Sequence, residues 1–440
     1  YLESLAGSAY SKAIEGLPGP VHLNLPFRKP LEPVSDSTLD APTSVDTRQE
    51  AHAAIRPLAR VSGGETISAV ALRSVGDLIR RHARGLIILG PRSFADEYQA
   101  ELSNLATLSG YPVLADPLSG ARFSGNAERD VVLCGGYDWY IQGSGQADLI
   151  LSIGSQPTSS GLEKYLAGLD GAVRISIQPG GRWLDPSHQT QISVEAQPDA
   201  AVAALAEVLA EKPPEDSARR TWRDRFKIAE LQVNIVLDER IDRDYCEGMA
   251  ARDLVATLTP GSLVFAANSL SIRHIDRYAT RSNVALHIFA NRGASGIDGN
   301  ISTAAGLAAG FGRPITLLIG DLAFHHDQTG LLAFQKYAPG SRIVLINNHG
   351  GGIFQQLPVA SFEPQFEEYF RTPVDLDYAS LTAAYGGHYS SASYRSEFLE
   401  LLGASVDPGG FQVIEFISQI ERHEKNRVEI TNLIKERMKS

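Results

Sequence analysis

The sequence predicts an α/β protein with two doubly wound parallel-sheet domains, preceded by the tail of a third. Three observations carry this. A chain of 440 residues, at roughly 100 to 200 residues per domain, has room for two or three full cores. From about residue 47 onward, short apolar runs alternate with longer stretches of helical periodicity, the pattern of parallel strands covered by helices. Glycines and polar residues cluster where four of the later strands end, and ligands bind beyond the carboxyl ends of strands in open parallel sheets.

Taken in order, residues 2–16 have helical spacing and run into Gly-Leu-Pro-Gly-Pro, which ends a helix. A strand at 21–25 stops at Pro26, and residues 30–46 are Pro, Ser, Thr and Asp with little periodicity, a linker. Residues 1–45 therefore read as the end of a domain plus its linker. In 46–212 strands are expected at 86–89, 113–115, 149–153 and 173–177, with helices at 95–108 and 200–210. No G-x-G-x-x-G follows the first of these strands and no G-x-x-x-x-G-K-[ST] occurs, so this domain is expected to be a scaffold. Residues 211–217, with two prolines and mixed charge, form a second linker. In 218–440 strands are expected at 263–266, 286–289, 315–319, 343–346 and 413–417, and 418–440 reads as a charged helix capping the surface. No internal repeat or low-complexity tract is evident.

Composition narrows the function classes. Hydrophobic residues at 43% and charged residues at 21% match ordinary globular usage. Forty basic against fifty-one acidic side chains give a net charge of -11, which repels phosphate backbones, so no nucleic-acid partner is expected. Cys134 and Cys246 lie far apart with no ligand-spaced companion, so neither a disulfide framework nor a zinc site is indicated, and a reducing compartment fits. No apolar run approaches the roughly 18 residues of a membrane span. The chain opens on Tyr1 rather than Met, so it reads as a fragment or processed chain whose targeting segment, if any, preceded it.

The chemistry concentrates in ITLLIGDLAFHHDQTGLL followed by RIVLINNHGGGIF. One apolar strand ends in Gly320-Asp321 and the next in Asn347-Asn348-His349-Gly350-Gly351-Gly352. If the two strands are neighbours, a carboxylate, an amide oxygen and a backbone carbonyl converge. These hard oxygen ligands are too few to cage a cation alone, which suits Mg2+ shared with a phosphorylated ligand. Backbone N–H groups at Leu322 and in the glycine turn would face the phosphates. Ser295 is no hydrolase nucleophile, because G-x-S-x-G would need glycine at Ile297. His325, His326 and Asp327 are adjacent on a helix start, where side chains diverge, and read as structural.

The Gly-Asp and Asn-Asn-x-Gly pair resembles the diphosphate and magnesium motif of thiamine diphosphate enzymes. ANRGASGIDGNISTAAGLA at 290–308 resembles a signature of the 2-succinyl-5-enolpyruvyl-6-hydroxy-3-cyclohexene-1-carboxylate (SEPHCHC) synthase family, which acts in menaquinone and phylloquinone biosynthesis. GPVHLNLPFRKPL at 19–31, NSLSIRHID at 268–276, GGIFQQLP at 351–358 and FEEYFRTP at 366–373 agree with it.

The resemblance implies two sheet domains of the thiamine diphosphate enzyme type, with Mg2+ (Mn2+ being possible) held by Asp321, Asn348 and the Gly350 carbonyl. It places the cofactor along Ser295, Gly296, Ile297, Gly320, Asp321, Leu322, Asn348, Gly350 and Gly351, with Ile297 as the wedge that bends it. It assigns Ser269, Arg273 and Arg292 to substrate carboxylates, and Ile353 and Phe354 to packing against substrate. The implied reaction, a transferase reaction, is decarboxylation of 2-oxoglutarate and addition of the succinyl carbanion to isochorismate, in a homodimer or homotetramer with sites between subunits. Where the family commonly has a lysine after Pro-Thr-Ser, this sequence has Ser160, with Lys164 displaced. The family's activating glutamate belongs to an N-terminal pyrimidine-binding domain of which residues 1–28 are the last helix and strand, so no catalytic residue is assigned in this chain and the chain alone is expected to be inactive. A bacterial source would make it cytoplasmic and a photosynthetic eukaryote plastidic. The alternatives are another thiamine diphosphate decarboxylase or carboligase, or a half-enzyme that needs a separate polypeptide.

Overall fold

The computed structural model describes residues 9, 10, 13, 19–23, 69–91, 99–125, 131–179, 189–214, 216–243, 245–282 and 284–438. Two six-stranded sheets organise them, every pairing within each sheet being parallel. The first contains β1 (Gly85–Leu89), β2 (Val113–Ala115), β3 (Leu133–Cys134), β4 (Leu149–Ile153), β5 (Val173–Gln178) and β6 (Ile192–Glu195), in the order β3-β2-β1-β4-β5-β6. The second contains β7 (Leu263–Ala266), β8 (His287–Phe289), β9 (Ile315–Gly320), β10 (Ser341–Asn347), β11 (His388–Ala392) and β12 (Phe411–Ile417), in the order β11-β12-β10-β9-β7-β8. The α/β class expected from the alternation is therefore what the chain forms.

The central strands are apolar throughout because helices cover both faces of the sheet. All five residues of Gly-Leu-Ile-Ile-Leu in β1 and all four of Leu-Val-Phe-Ala in β7 are buried. Three strands had no counterpart in the sequence expectation. All three are edge strands; in β6 and β11, Ile-Ser-Val-Glu and His-Tyr-Ser-Ser-Ala alternate or lean polar because one side faces water. The third, β3, has two residues, too few to show a period. At the N-terminal end, residues 9, 10 and 13 are helical, as expected, whereas 21–23 are not in a strand. The linker at 30–46 lies outside the described residues.

Helix ends follow local chemistry. Pro198 opens the helix Pro198–Glu211, where its missing N–H costs nothing. Asp216 accepts from the Ala218 amide to cap the helix Ser217–Arg240. Left-handed Gly299 and Gly312 bracket the helix Asn300–Phe311. The C-terminal helix Ile420–Arg437 is not only a solvated cap, for it buries Ile420, His423, Asn426, Ile430 and Ile434 against the second sheet's layer. Its charges sit on the other positions, so composition masked an amphipathic face. Among the described residues no helix is long and apolar enough to cross a membrane, and both cysteines are free and buried.

One buried cluster runs from Leu86 and Ile150 of the first sheet through Phe226 and Val233 of Ser217–Arg240 to Val264 and Val344 of the second. The helix Leu270–Tyr278 crosses this junction and is tied to the first sheet's loops by charge. Arg122 Nη1 lies 2.8 Å from Asp276 Oδ1, with side-chain exposures of 0% and 4%. The same guanidinium also donates to the Gly135 and Asp276 carbonyls. One position on, Arg277 Nε donates to Asp138 Oδ2 at 2.7 Å, and Trp139 Nε1 donates to the Arg277 carbonyl at 2.6 Å. Glu230 closes the junction by accepting from the Gly135 and Gly136 amides and the Tyr140 hydroxyl.

Removing one partner of a buried ion pair strands the other together with its hydrogen bonds. Arg122→Met should therefore cost about 3–5 kcal/mol in denaturant unfolding. Asp276→Asn keeps an acceptor for Arg122 and should cost less; equal losses, or none, would show that the pair does not hold the junction.

Candidate functional site

In an open parallel sheet, ligands collect where successive strands leave in opposite directions. In the second sheet that point lies between β7 and β9, since β8 lies outside β7 while β10 and β12 extend the other way. A cavity of about 60 Å³ opens there. Three loops line it: Asn268 to Ser271 after β7, Gly320 to Ala323 after β9, and Asn348 to Ile353 after β10. Glu247, His274 and Ile297 complete the wall. A second cavity of about 240 Å³ lies in the first sheet, lined by Ser155, Gln156, Glu163 and Arg174 among others, away from these residues.

Asp321 is the first residue of a short helix, Asp321–His326, and is buried. Its Oδ1 accepts from the Leu322 amide at 2.7 Å and its Oδ2 from the Gly350 amide at 2.8 Å. Burial, aided by the negative charge of Glu247, pushes its carboxyl up to about 6 against those two hydrogen bonds. The amides expected to face phosphates are thus engaged within the chain: Leu322 and Gly350 on Asp321, Gly351 on the Arg371 carbonyl, and Gly352 on the Gly350 carbonyl. A buried carboxylate needs donors, and the nearest backbone N–H groups supply them.

The glycine turn is dictated by its cover. Gly350 sits at φ 127°, and a Cβ there would overlap the Arg371 carbonyl; one at Gly351 would overlap the Phe370 carbonyl. The segment FEEYFRTP thereby lies directly on the turn, fastened by Arg371 to Glu421 at 2.9 Å. Phe370 meets Phe354 edge-on at 5.7 Å, which braces Phe354 beside Ile353 on the single turn Gly352–Gln356.

The two asparagines after β10 have different tasks. Asn347 is internal, donating to Glu415 Oε1 at 2.6 Å and accepting from the His349 amide at 3.0 Å. Asn348 donates its Nδ2 to Glu247 Oε1 at 3.1 Å, and its Oδ1 is buried with no partner among the described residues. Asn268 is in the same condition, its Nδ2 donating to the Gly296 carbonyl at 2.6 Å and its Oδ1 unpartnered. A buried amide oxygen left unpaired costs about 1–3 kcal/mol, so two on one cavity wall suit a ligand that accepts oxygen donors.

Glu247, the first residue of the helix Glu247–Thr257, is wholly buried and was not expected from sequence. Burial pushes its carboxyl up, but hydrogen bonds from His274 Nε2 at 3.0 Å and from Asn348, with neighbouring positive charge, hold it down at about 2. His274 faces His423, ring centroids 4.8 Å apart, and burial holds His423 near 3 and neutral. Nothing in the local sequence marks these residues as neighbours, since three separate helices supply them.

Of the substrate-assigned residues, Ser269 lines the cavity and sits at φ 68°, a backbone region that costs a residue with a side chain about 1–3 kcal/mol. Arg273, one turn along, donates to the Ser269 carbonyl at 2.6 Å. Its guanidinium is held below its usual range by burial, with the positive charge of Arg292 adding to the lowering. Arg292 makes no hydrogen bond or ion pair to a described residue. Ile297, Gly320, Leu322, Gly350, Gly351 and Ile353 line the cavity, whereas Arg273, Arg292, Ser295, Gly296 and Phe354 are not among the residues that line it. Ser160 and Lys164 are exposed and do not line it. Asp327 is occupied in the scaffold, accepting from the Ser302 amide and hydroxyl at 2.8 and 3.0 Å.

Residues 70–266 match the family model described as the middle domain of thiamine pyrophosphate. The chain is 37% identical over 421 residues to a SEPHCHC synthase from Roseiflexus sp., covering 94% of this chain and 70% of the relative. The chain belongs to the SEPHCHC synthase family. A synthase from Haloarcula marismortui is also 37% identical, over 429 residues, at 94% of this chain and 71% of the relative. One from Bacillus cytotoxicus is 33% identical over 430 residues, at 96% and 70%.

The acid response of His423 tests the site's electrostatics. A histidine held near 3 when folded and titrating near 6.5 when unfolded contributes stability that is present above about pH 6.5 and lost as pH falls toward 3. The stability of the protein minus that of His423→Leu should drop by about 2 kcal/mol between pH 8 and pH 5. A pH-independent difference would mean that the folded protein protonates His423 freely.

Proposed function

We propose that this cavity binds the diphosphate end of thiamine diphosphate through Mg2+, with Mn2+ able to substitute, and that, once a pyrimidine-binding domain supplies the activating glutamate, the protein decarboxylates 2-oxoglutarate and joins the remaining four-carbon unit to isochorismate in menaquinone or phylloquinone formation. The observation that carries this reading is the meeting of the Asp321 carboxylate, the unpartnered Asn348 Oδ1 and the Gly350 turn at the ends of adjacent strands β9 and β10. These are hard oxygen donors suited to a divalent cation that completes its shell with phosphate and water. They would hold the cation, and the bound cofactor supplies the electron sink for loss of carbon dioxide.

The chain's own residues bind, orient and shield. Arg273 and Arg292 grip carboxylates, because a planar guanidinium meets a carboxylate bidentately. Ser269 offers a hydroxyl at the same end. Ile297 supplies an apolar wall against the cofactor, while Ile353 and Phe354, the latter braced by Phe370, keep water from the reacting carbon. Ser295 and Gly296 carry the backbone past this wall, where the Gly296 carbonyl anchors Asn268. The names of the relatives support the synthase over other thiamine diphosphate decarboxylases. The reading includes a homodimer or homotetramer with sites between subunits.

Asp321→Ala should abolish Mg2+-dependent binding of thiamine diphosphate in calorimetry, since it removes the charged ligand of the set. Affinity within about twofold of the unaltered protein would sink the assignment. Arg273→Ala and Arg292→Ala should each cost about 10 to 150-fold in 2-oxoglutarate recognition, the equivalent of a charge-assisted contact. Cofactor affinity should stay unchanged in both, and the reverse pattern would make them phosphate ligands instead.

A further inference from the structure

An asparagine side chain can present either end, and only its partners decide which. Asn348 has one partner among the described residues, the carboxylate of Glu247, and a carboxylate only accepts. The Nδ2 end must therefore face Glu247, which leaves Oδ1 on the cavity side, buried and unpartnered. Glu247 is itself over-determined. It is fully buried, and it sits at the first position of its helix, where the helix dipole favours negative charge. Its second oxygen is held by His274 at 3.0 Å. His274 follows Arg273 on the helix Leu270–Tyr278, so one chain of contacts joins the helix that carries Arg273 to the cation end.

We propose that Glu247 is a positioning residue for the cation site, fixing the Asn348 amide so that its carbonyl oxygen points to the metal, with His274 holding Glu247 in place. The inference rests on the reading that Asp321 and Asn348 hold a divalent cation. It adds two residues of the cavity wall, Glu247 and His274, whose part is to position Asn348, and it links the metal end to the helix of Arg273 through His274.

The test is Mn2+ binding followed by electron paramagnetic resonance in the presence of thiamine diphosphate, beside a thermal melt of each variant. Glu247→Gln can turn its own NH2 toward Asn348 and should weaken Mn2+ binding about 10 to 100-fold, the usual cost of losing an outer hydrogen-bond partner of a metal ligand. Asn348→Asp sets two carboxylates against each other and should also lose at least about tenfold. The double variant Glu247→Gln/Asn348→Asp restores a donor facing an acceptor and keeps the charge, so it should return to within about threefold of the unaltered protein.

Additive losses in the double variant would overturn the proposal, as would Mn2+ affinity within about threefold of normal for Glu247→Gln when Asp321→Ala has lost binding. If Asp321→Ala binds Mn2+ normally, the cation reading itself fails and the proposal falls with it. Should Glu247→Gln not fold, His274→Leu leaves the carboxylate but frees it; a loss of at least about threefold supports the proposal and no loss overturns it.

Discussion

The geometry of this protein hangs on one buried ion pair, Arg122 with Asp276. Arg122 belongs to a loop beyond the first sheet, and Asp276 to the helix that follows the first strand of the second. Neither charge can be left alone away from water, so the two layers can settle only where the guanidinium meets the carboxylate and the carbonyls around it. Burial, with the charges of Asp116 and Asp138, pushes the Asp276 carboxyl up to about 7 against the pull of Arg122. Such a pair contributes specificity more than raw stability. It sets where the helix Leu270–Tyr278 lies, and therefore where Ser269, Arg273 and His274 lie.

From that helix the site is assembled by topology. Parallel strands deliver their carboxyl ends to one edge, and the reversal of strand order between β7 and β9 leaves a gap there. Three loops fill the gap with polar groups, in a place where each polar atom must find a partner or wait for a ligand. Asp321 finds two amides, Asn347 finds Glu415, and Glu247 finds His274 and Asn348. The oxygens of Asn268 and Asn348 find none among the described residues. That imbalance between satisfied and unsatisfied atoms marks binding capacity more sharply than the cavity's size. The larger cavity in the first sheet has no such convergence of a carboxylate, an orphaned amide oxygen and a glycine turn.

What was legible in the sequence was what is local or repeats. The central strands of both sheets showed as apolar runs because they are buried on both faces, and Gly320-Asp321 with Asn347-Asn348 stood out because strand ends and tight turns need particular residues. The edge strand β11 was hidden by its polar face, and the buried face of the predicted C-terminal helix by charges that outnumber Ile420, Ile430 and Ile434. The glycine run read as a turn, but the reason for it, the carbonyls of Phe370 and Arg371 pressed against it, lies outside the run itself.

The α/β class, the positions of the main strands, the Gly320-Asp321 and Asn347-Asn348 pair after β9 and β10, and the family resemblance could all be read from the amino-acid order. These follow from periodicity and from residue types required at single positions, and both are properties of short stretches of chain. The packing of the sheets alone reveals that Glu247 and His274 stand behind Asn348 and that His423 is sealed beside them. Each of those facts joins residues from different elements. The joining is set by which buried charges and amides can satisfy each other once the sheets have packed, a condition of the whole fold that no local pattern records.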